Sequence, residues 1–308
     1  MYDIPILFVF FNRPEIALRA FQSIRACRPK RLYLACDGPR EHVPGEGKVV
    51  EELRASVCAS VDWDCSVQTF FQEKNVGCGP NVHAAISWLF ANEEWGIVLE
   101  DDCIADPSFF PYVQDLLETY RDDQRVGMIA GTNPVASAYK APYSYLFSRF
   151  KNCWGWASWR RAWEAMDFSM QWRNTPLAAS VIDNSGYRGK DNHRWKWQLQ
   201  YIDNAWVSSW DWQWYFTLSA RNQLCVFPGV NLISNIGNDA AATHNASGNI
   251  TFRTYAMAFP LRRPPVMAPD IAFEKQMYRH TSSLSLRVNR HIPHCLKALK
   301  RRLLSWWK

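Results

Sequence analysis

Short apolar runs alternate with amphipathic stretches over the first 130 residues. Residues 4–10 (IPILFVF), 32–35, Ser66–Phe71, 96–99 and Val126–Ala130 read as strands, and their nearly unbroken apolar character predicts burial on both faces. The stretches between them have the spacing of helices. The first follows Pro14-Glu15 to about Ala26, with Ala17, Leu18, Phe21 and Ile24 on one side. Residues 49–61 form the second, and Val82, Ala85, Ile86, Leu89 and Phe90 mark the third at i, i+3, i+4, i+7, i+8. The fourth carries Phe109, Phe110, Val113, Leu116, Leu117 and Tyr120, with Asp106 or Ser108 as its cap and a late start or kink at Pro111. Strand and helix in alternation predict an α/β protein with a mostly parallel sheet flanked by helices.

The second half reads differently. Eleven of the 16 tryptophans fall between Trp154 and Trp214. Helical pieces are expected over 156–166 and 192–220, then a short strand at 224–227 and a loop over 231–245 (NLISNIGNDAAATHN). Most of these tryptophans are expected in the core, because the residue type is highly buried on average. Three segments result: an α/β half over 1–132, a Trp-rich half of the same domain over 133–270, and a basic tail over 271–308.

Composition narrows the classes. With 48% hydrophobic and 21% charged residues the chain is globular rather than disordered, and no apolar run reaches the roughly 18 residues of a membrane span. MYDIPILFVFFNRPE lacks a basic leader, so no signal peptide is expected. Nine scattered cysteines without a Cys-x-x-Cys pair point to free thiols in a reducing, cytoplasmic setting and away from zinc. The net charge of +6 is a local effect: no Asp or Glu follows Glu274, but nine Lys or Arg do, leaving the body with 26 basic and 29 acidic residues. No nucleic-acid-binding face is expected from that balance.

Candidate chemistry concentrates where the 96–99 run ends in Glu100-Asp101-Asp102. Three adjacent carboxylates cannot be buried without a positive partner. A divalent metal is the simplest, and an all-oxygen site favours Mg2+ or Mn2+. In open α/β sheets ligands bind beyond the carboxyl ends of strands, where this triplet would lie. Arg13, ending the first strand, could meet a diphosphate with its bidentate fork, or pair with Glu15 or Asp37. Asp37, before Gly38, could hydrogen-bond a base or ribose, or simply form a turn. Asn75 and Gly77 could let the backbone approach a nucleotide, or make an ordinary helix start. His244 could complete a metal shell, touch a phosphate, or be structural. Trp154 and Trp212 offer aromatic faces suited to sugar rings.

The order of these motifs resembles that of GT-A-fold (Rossmann-like) glycosyltransferases: Asn-Arg after the first strand, Asp-Gly after the second, Asn-x-Gly before a helix, then Glu-Asp-Asp. Most similar is the N-acetylglucosaminyltransferase I type with its bacterial relatives. The resemblance extends through DPSFFPYVQDLLETYRDD, RFKNCWGWASWRRAW, SSWDWQW and NLISNIGNDAAATHN, about residues 3–245. It implies a nucleotide-diphosphate sugar donor, a divalent metal and an inverting transfer to a glycan or lipid-linked acceptor of a bacterial surface polysaccharide. By the same resemblance Asp102 binds the metal, Asp101 the ribose or donor sugar, and Glu100 the donor sugar. Gly155-Trp156 form a turn beside that sugar, and Asp211 is the catalytic base. Wedged among tryptophans, Asp211 would be partly desolvated, which favours its acting as a base. The 231–245 loop would close over the donor and exclude water.

Two other classes remain to be weighed. A sugar-1-phosphate nucleotidyltransferase would begin with a Gly-rich basic loop, which Phe11-Asn12-Arg13-Pro14 is not. A lectin-like or cytolytic surface protein would be exported, with paired cysteines. In the tail, Ile292, Leu296, Leu299, Leu303, Trp306 and Trp307 fall near one helical stripe beside Lys297, Lys300, Arg301 and Arg302. That pattern predicts either an interfacial helix on an anionic membrane surface or a helix packed on the body.

Overall fold

The computed structural model describes residues 2–187, 193–203, 209–237 and 252–281. An eight-stranded sheet is built from β1 (Ile6–Phe10), β2 (Arg31–Cys36), β3 (Ser66–Phe71), β4 (Trp95–Glu100), β6 (Val126–Ala130), β7 (Tyr145–Ser148), β8 (Trp156–Trp159) and β9 (Leu224–Pro228), in the order β3-β2-β1-β4-β8-β6-β9-β7. Pairs β1–β2, β2–β3, β1–β4 and β6–β9 are parallel, while β8 runs against β4 and β6, and β7 against β9. A second, two-stranded sheet joins β5 (Cys103–Ala105) to β10 (Ile233–Asn235). The fold class is therefore the α/β arrangement that the alternating pattern predicts.

The central strands are mostly apolar because alternate side chains serve opposite layers. Ile6, Phe8, Phe10, Leu32, Leu34, Ile97 and Leu99 pack on one side with α1 (Pro14–Cys27), α2 (Glu46–Ala59) and α4 (Phe109–Thr119). Leu7, Val9, Tyr33, Ala35 and Val98 pack on the other with α3 (Cys78–Asn92), α5 (Arg160–Trp163), α6 (Ala178–Asp183), α7 (His193–Asp203) and α8 (Asp211–Ala220). A final helix, α9 (Ile271–Thr281), inserts Phe273 and Met277 into this second layer.

Several sequence expectations change. The segment expected to be helical over 156–166 begins as strand β8. Trp156, Trp159 and Trp163 have helical spacing, but β8 lies between β4 and β6, so Trp156 faces one layer and Ala157 and Trp159 the other. Over 192–220, where helical pieces are expected, α7 and α8 are found. Pro111 delays nothing: it sits in the first turn of α4, where a missing N–H is tolerated. The start of the expected 231–245 loop is strand β10. Trp156, Trp159, Trp163, Trp172, Trp195, Trp210 and Trp214 are buried, as expected for the type. The eight described cysteines are free of disulfides. Among the described residues, no helix is long and apolar enough to cross a membrane. His244 and the tail from residue 282, including the basic stripe, lie outside the described residues.

Candidate active site

Six strands of the large sheet point the same way, and their carboxyl ends form one rim. The turn after β1 (Phe11 to Arg13), the Asp37-Gly38 turn after β2, the 72–77 loop after β3 and Glu100-Asp101-Asp102 after β4 all emerge there. Because β8 is antiparallel, its first residue is also at this end: Trp156 pairs with Val98 and Ala130. The preceding residues Trp154 and Gly155 therefore join the rim. Thr132 Oγ donates to the Trp154 carbonyl at 2.7 Å, and Gly131 N–H to the Gly155 carbonyl at 2.7 Å.

The positive partner that the acidic triplet requires is Arg13. Its guanidinium hydrogen-bonds the Asp101 carboxylate and lies 3.1 Å from Asp102 Oδ2. Neither Glu15 nor Asp37, the partners open from sequence, takes that ion pair. Burial pushes the Asp101 carboxyl up to about 6; Arg13 opposes this, and the Asp102 charge adds to it. Glu100 is raised by burial and then by the negative charges of Asp102, Asp101 and Asp211. Burial alone would lower the Arg13 guanidinium, but Asp101 and Asp102 hold it above its ordinary value. One cation thus faces a local excess of carboxylate.

Asp102 is gripped from a second side. Asn235 Nδ2 donates to its Oδ1 at 2.9 Å, Ile236 N–H donates to its carbonyl at 2.8 Å, and β10 pairs Asn235 with Cys103. Gly237 packs so closely that a Cβ there would lie 2.1 Å from Asp102 Oδ2. An all-oxygen set with excess negative charge fits a hard divalent cation. Among the described residues no three His, Cys, Asp or Glu side chains are gathered to hold a metal by themselves. An ion here would take Asp102 as its protein ligand and share phosphate oxygens of a bound nucleotide.

No protein-family model matches the sequence, and no curated protein matches it. Among solved structures, the chain is similar to the mannosyltransferase PcManGT from Pyrobaculum calidifontis in complex with GDP-Man and Mn2+ (11% identity, 52% of this chain and 46% of that one, TM-score 0.35). It is similar also to the galactosyltransferase LgtC in complex with donor and acceptor sugar analogs (14% identity, 56% and 64%, TM-score 0.35). A third is UDP-glucose pyrophosphorylase complexed with UDP-glucose (11% identity, 54% and 79%, TM-score 0.33). The matches span less than two thirds of the length of the first two structures. Nothing about the site rests on likenesses this slight.

The candidate residues separate into those the rim brings together and those it uses otherwise. Arg13, Glu100, Asp101 and Asp102 meet at the ends of β1 and β4. Asp211, first residue of α8, accepts from Ser209 Oγ at 2.9 Å, and its charge acts on Glu100 across the rim. Asp37 is 4% exposed, and both its oxygens are spent on the protein. Oδ1 accepts from Gly38 and Val76 N–H, and Oδ2 from Gly77 N–H and Asn75 Nδ2, all at 2.8–3.0 Å. Asp37, Asn75 and Gly77 thus form one knot that ties the loops after β2 and β3, which is the turn-forming alternative that the sequence left open for Asp37. Gly38 belongs to it, since a Cβ there would sit 2.3 Å from the Lys74 carbonyl carbon. Trp156 is fully buried, stacked on Trp210 at 5.8 Å, so its ring supports the rim from beneath rather than meeting a sugar. Gly155 has φ +60° and leaves no room for a Cβ against Ile233. Trp154 and Trp212 are half-buried.

Sequence reasoning missed Asn235, and with it Asn12 and Glu46. Asn12 Nδ2 donates to Glu46 Oε1 at 2.7 Å, and Arg40 donates to the same carboxylate from its backbone and side chain. These bonds fix the turn that carries Arg13. The Asn235 signal was present only as one polar residue within a loop-like run, and nothing in the run says which strand end it meets.

Proposed function

We propose that this protein is a metal-dependent, inverting glycosyltransferase that moves a sugar from a nucleotide-diphosphate donor to a glycan or lipid-linked acceptor. The observation that carries the reading is the meeting of Arg13 with Asp101 and Asp102 where two neighbouring parallel strands end, with Asp211 acting on the same cluster. A guanidinium at that position can turn to a diphosphate, for which its planar fork is suited. Asp102 Oδ2 would hold a divalent ion together with the diphosphate oxygens, and such an ion, when bound, neutralises the departing nucleotide. Asp211 would accept the proton of the attacking acceptor hydroxyl. The half-buried faces of Trp154 and Trp212 would border the sugar.

The inverting outcome, the N-acetylglucosaminyltransferase I type and the role in a bacterial surface glycan rest on the motif resemblance alone. The peripheral place on a membrane rests on the tail pattern beyond Ser285. Deleting 285–308 should abolish binding to anionic vesicles if that pattern is a membrane anchor.

Calorimetric titration of the full chain with UDP and GDP, with and without Mn2+, tests the reading. Uptake of one nucleotide that is strengthened by Mn2+ is expected, together with loss of that Mn2+ effect in Asp102→Asn. A chain that binds neither nucleotide is not such a transferase. Release of pyrophosphate from a nucleoside triphosphate and a sugar-1-phosphate would favour the nucleotidyltransferase alternative.

A further inference from the structure

We infer that Asn235 is a positioning residue for Asp102: it occupies one carboxylate oxygen, so that only the other, which pairs with Arg13, could serve an ion. The inference rests on the transferase reading and goes beyond it, since neither the motifs nor the charge cluster gives Asn235 a role.

Asn235 is 3% exposed, and both ends of its amide are used. Gly237 N–H donates to its Oδ1 at 3.0 Å. A backbone N–H can only donate, so the amide oxygen faces Gly237 and the NH2 group faces Asp102. Nδ2 then meets Asp102 Oδ1 at 2.9 Å, an oxygen that also receives the Cys103 thiol at 3.5 Å. Asp102 Oδ2 instead accepts from the Arg13 guanidinium at 3.1 Å, and it would reach an ion only with Arg13 turned to a diphosphate. The backbone adds a second hold, because Ile236 N–H caps the Asp102 carbonyl at 2.8 Å and β10 is paired in register with β5. The Asp102 carboxylate is thereby kept from rotating and from offering both oxygens at once.

That restriction has a chemical consequence. A small divalent cation demands near-octahedral geometry, keeps several waters and takes one oxygen from each carboxylate. A carboxylate free to swing would present either one oxygen or two. Groups that orient a ligand in this way are worth about 10–100-fold in metal affinity. Asn235 also couples the two sheets: whatever moves β10 moves the ligand oxygen at the end of β4.

The test is the Mn2+ dependence of nucleotide binding by the full chain, with GDP and UDP as probes. Asn235→Leu keeps the branched shape of the side chain and removes the donor. It should raise the Mn2+ concentration for half-maximal nucleotide binding by about 10–100-fold, a larger change than in binding measured without Mn2+. Gly237→Ala approaches from the other side, because its Cβ would press on Asp102 Oδ2, and it should give a shift of the same sign. A folded Asn235→Leu protein with wild-type Mn2+ dependence overturns the inference and leaves the transferase reading intact. If Asn235→Leu does not fold, Gly237→Ala decides alone, and an unchanged Mn2+ dependence there overturns it. A wild-type chain that takes up neither nucleotide at any Mn2+ concentration overturns both.

Discussion

Arg13 and Asp102 meet at 3.1 Å although 89 positions separate them. The contact exists because β1 and β4 are parallel neighbours, which places their carboxyl ends side by side. Removing the guanidinium would leave partly buried carboxylates without their counter-charge. Arg13→Gln is expected to lower the unfolding midpoint by the equivalent of roughly 2 kcal/mol, and to weaken Mn2+-supported GDP or UDP binding at least about 10-fold. Arg13→Lys should recover the stability more fully than the nucleotide affinity, because an ammonium restores charge but not the fork. Denaturation and calorimetry on the same two variants separate these effects.

Asp37 offers a stability test. Its two oxygens accept three backbone N–H groups and the Asn75 amide. Asp37→Asn would turn an NH2 group toward donors and strand at least one buried N–H. A loss of about 2–4 kcal/mol is expected in urea unfolding. A loss within 0.5 kcal/mol, about the scatter of ordinary surface changes, would show that the loops after β2 and β3 hold without the knot.

Glu46 should make part of the stability pH-dependent in acid. The Arg40 side chain, then its backbone N–H and Asn12, hold the Glu46 carboxyl down to about 2, against the opposing effect of burial. A folded value below the unfolded one means stability that is present above the usual carboxylate range and lost as pH falls toward 2. Glu46→Gln should therefore be less stable than wild type at pH 7, by about 1.5–3 kcal/mol, and the gap should close as pH drops from about 4.5 to about 2. Thermal melts across that window check the sign.

Lys151 also makes stability rise with pH, but in the alkaline range and because its burial destabilises the charged form. It is 6% exposed, with Nζ donating to Ser219 Oγ at 2.7 Å and lying over the Tyr215 ring. Burial lowers its amine to about 7; Cys225 and Glu274 oppose this, and Arg149 adds to it. Between that value and the ordinary lysine range the unfolded chain binds more protons, so this group makes stability rise with pH. Lys151→Met should be more stable than wild type at pH 7, on the order of 2 kcal/mol. Its advantage should shrink as pH climbs toward about 10.5. Equal stability at pH 7 would mean that the Ser219 hydrogen bond and the Tyr215 face compensate the desolvation.

Much of the first half was legible because its signals are local. The runs 6–10, 32–36 and 96–99 are apolar at every position, which only a strand covered on both faces requires, and the helices between them keep a single apolar stripe. The acidic triplet was legible for the same reason, since adjacent carboxylates after a buried strand demand a partner wherever the chain goes next. Trp156 shows where such reasoning stops. Its spacing to Trp159 and Trp163 is helical, but the gap between β4 and β6 took the segment as a strand, and hydrogen-bonding to two long neighbours outweighed the period.

The sequence alone determined the fold class, the end of the sheet where chemistry would gather, and the need for a positive charge beside Glu100, Asp101 and Asp102. Those follow from hydrophobic period and from the cost of burying like charges, which act over a few residues. Only the tertiary structure decided that the charge comes from Arg13, that Asp37 binds its own loops, that the Trp156 ring lies beneath the rim, and that Asn235 holds Asp102. Each is a pairing between distant segments, set by strand order and register, and the polar residues at those positions bear no local mark of the partner they meet.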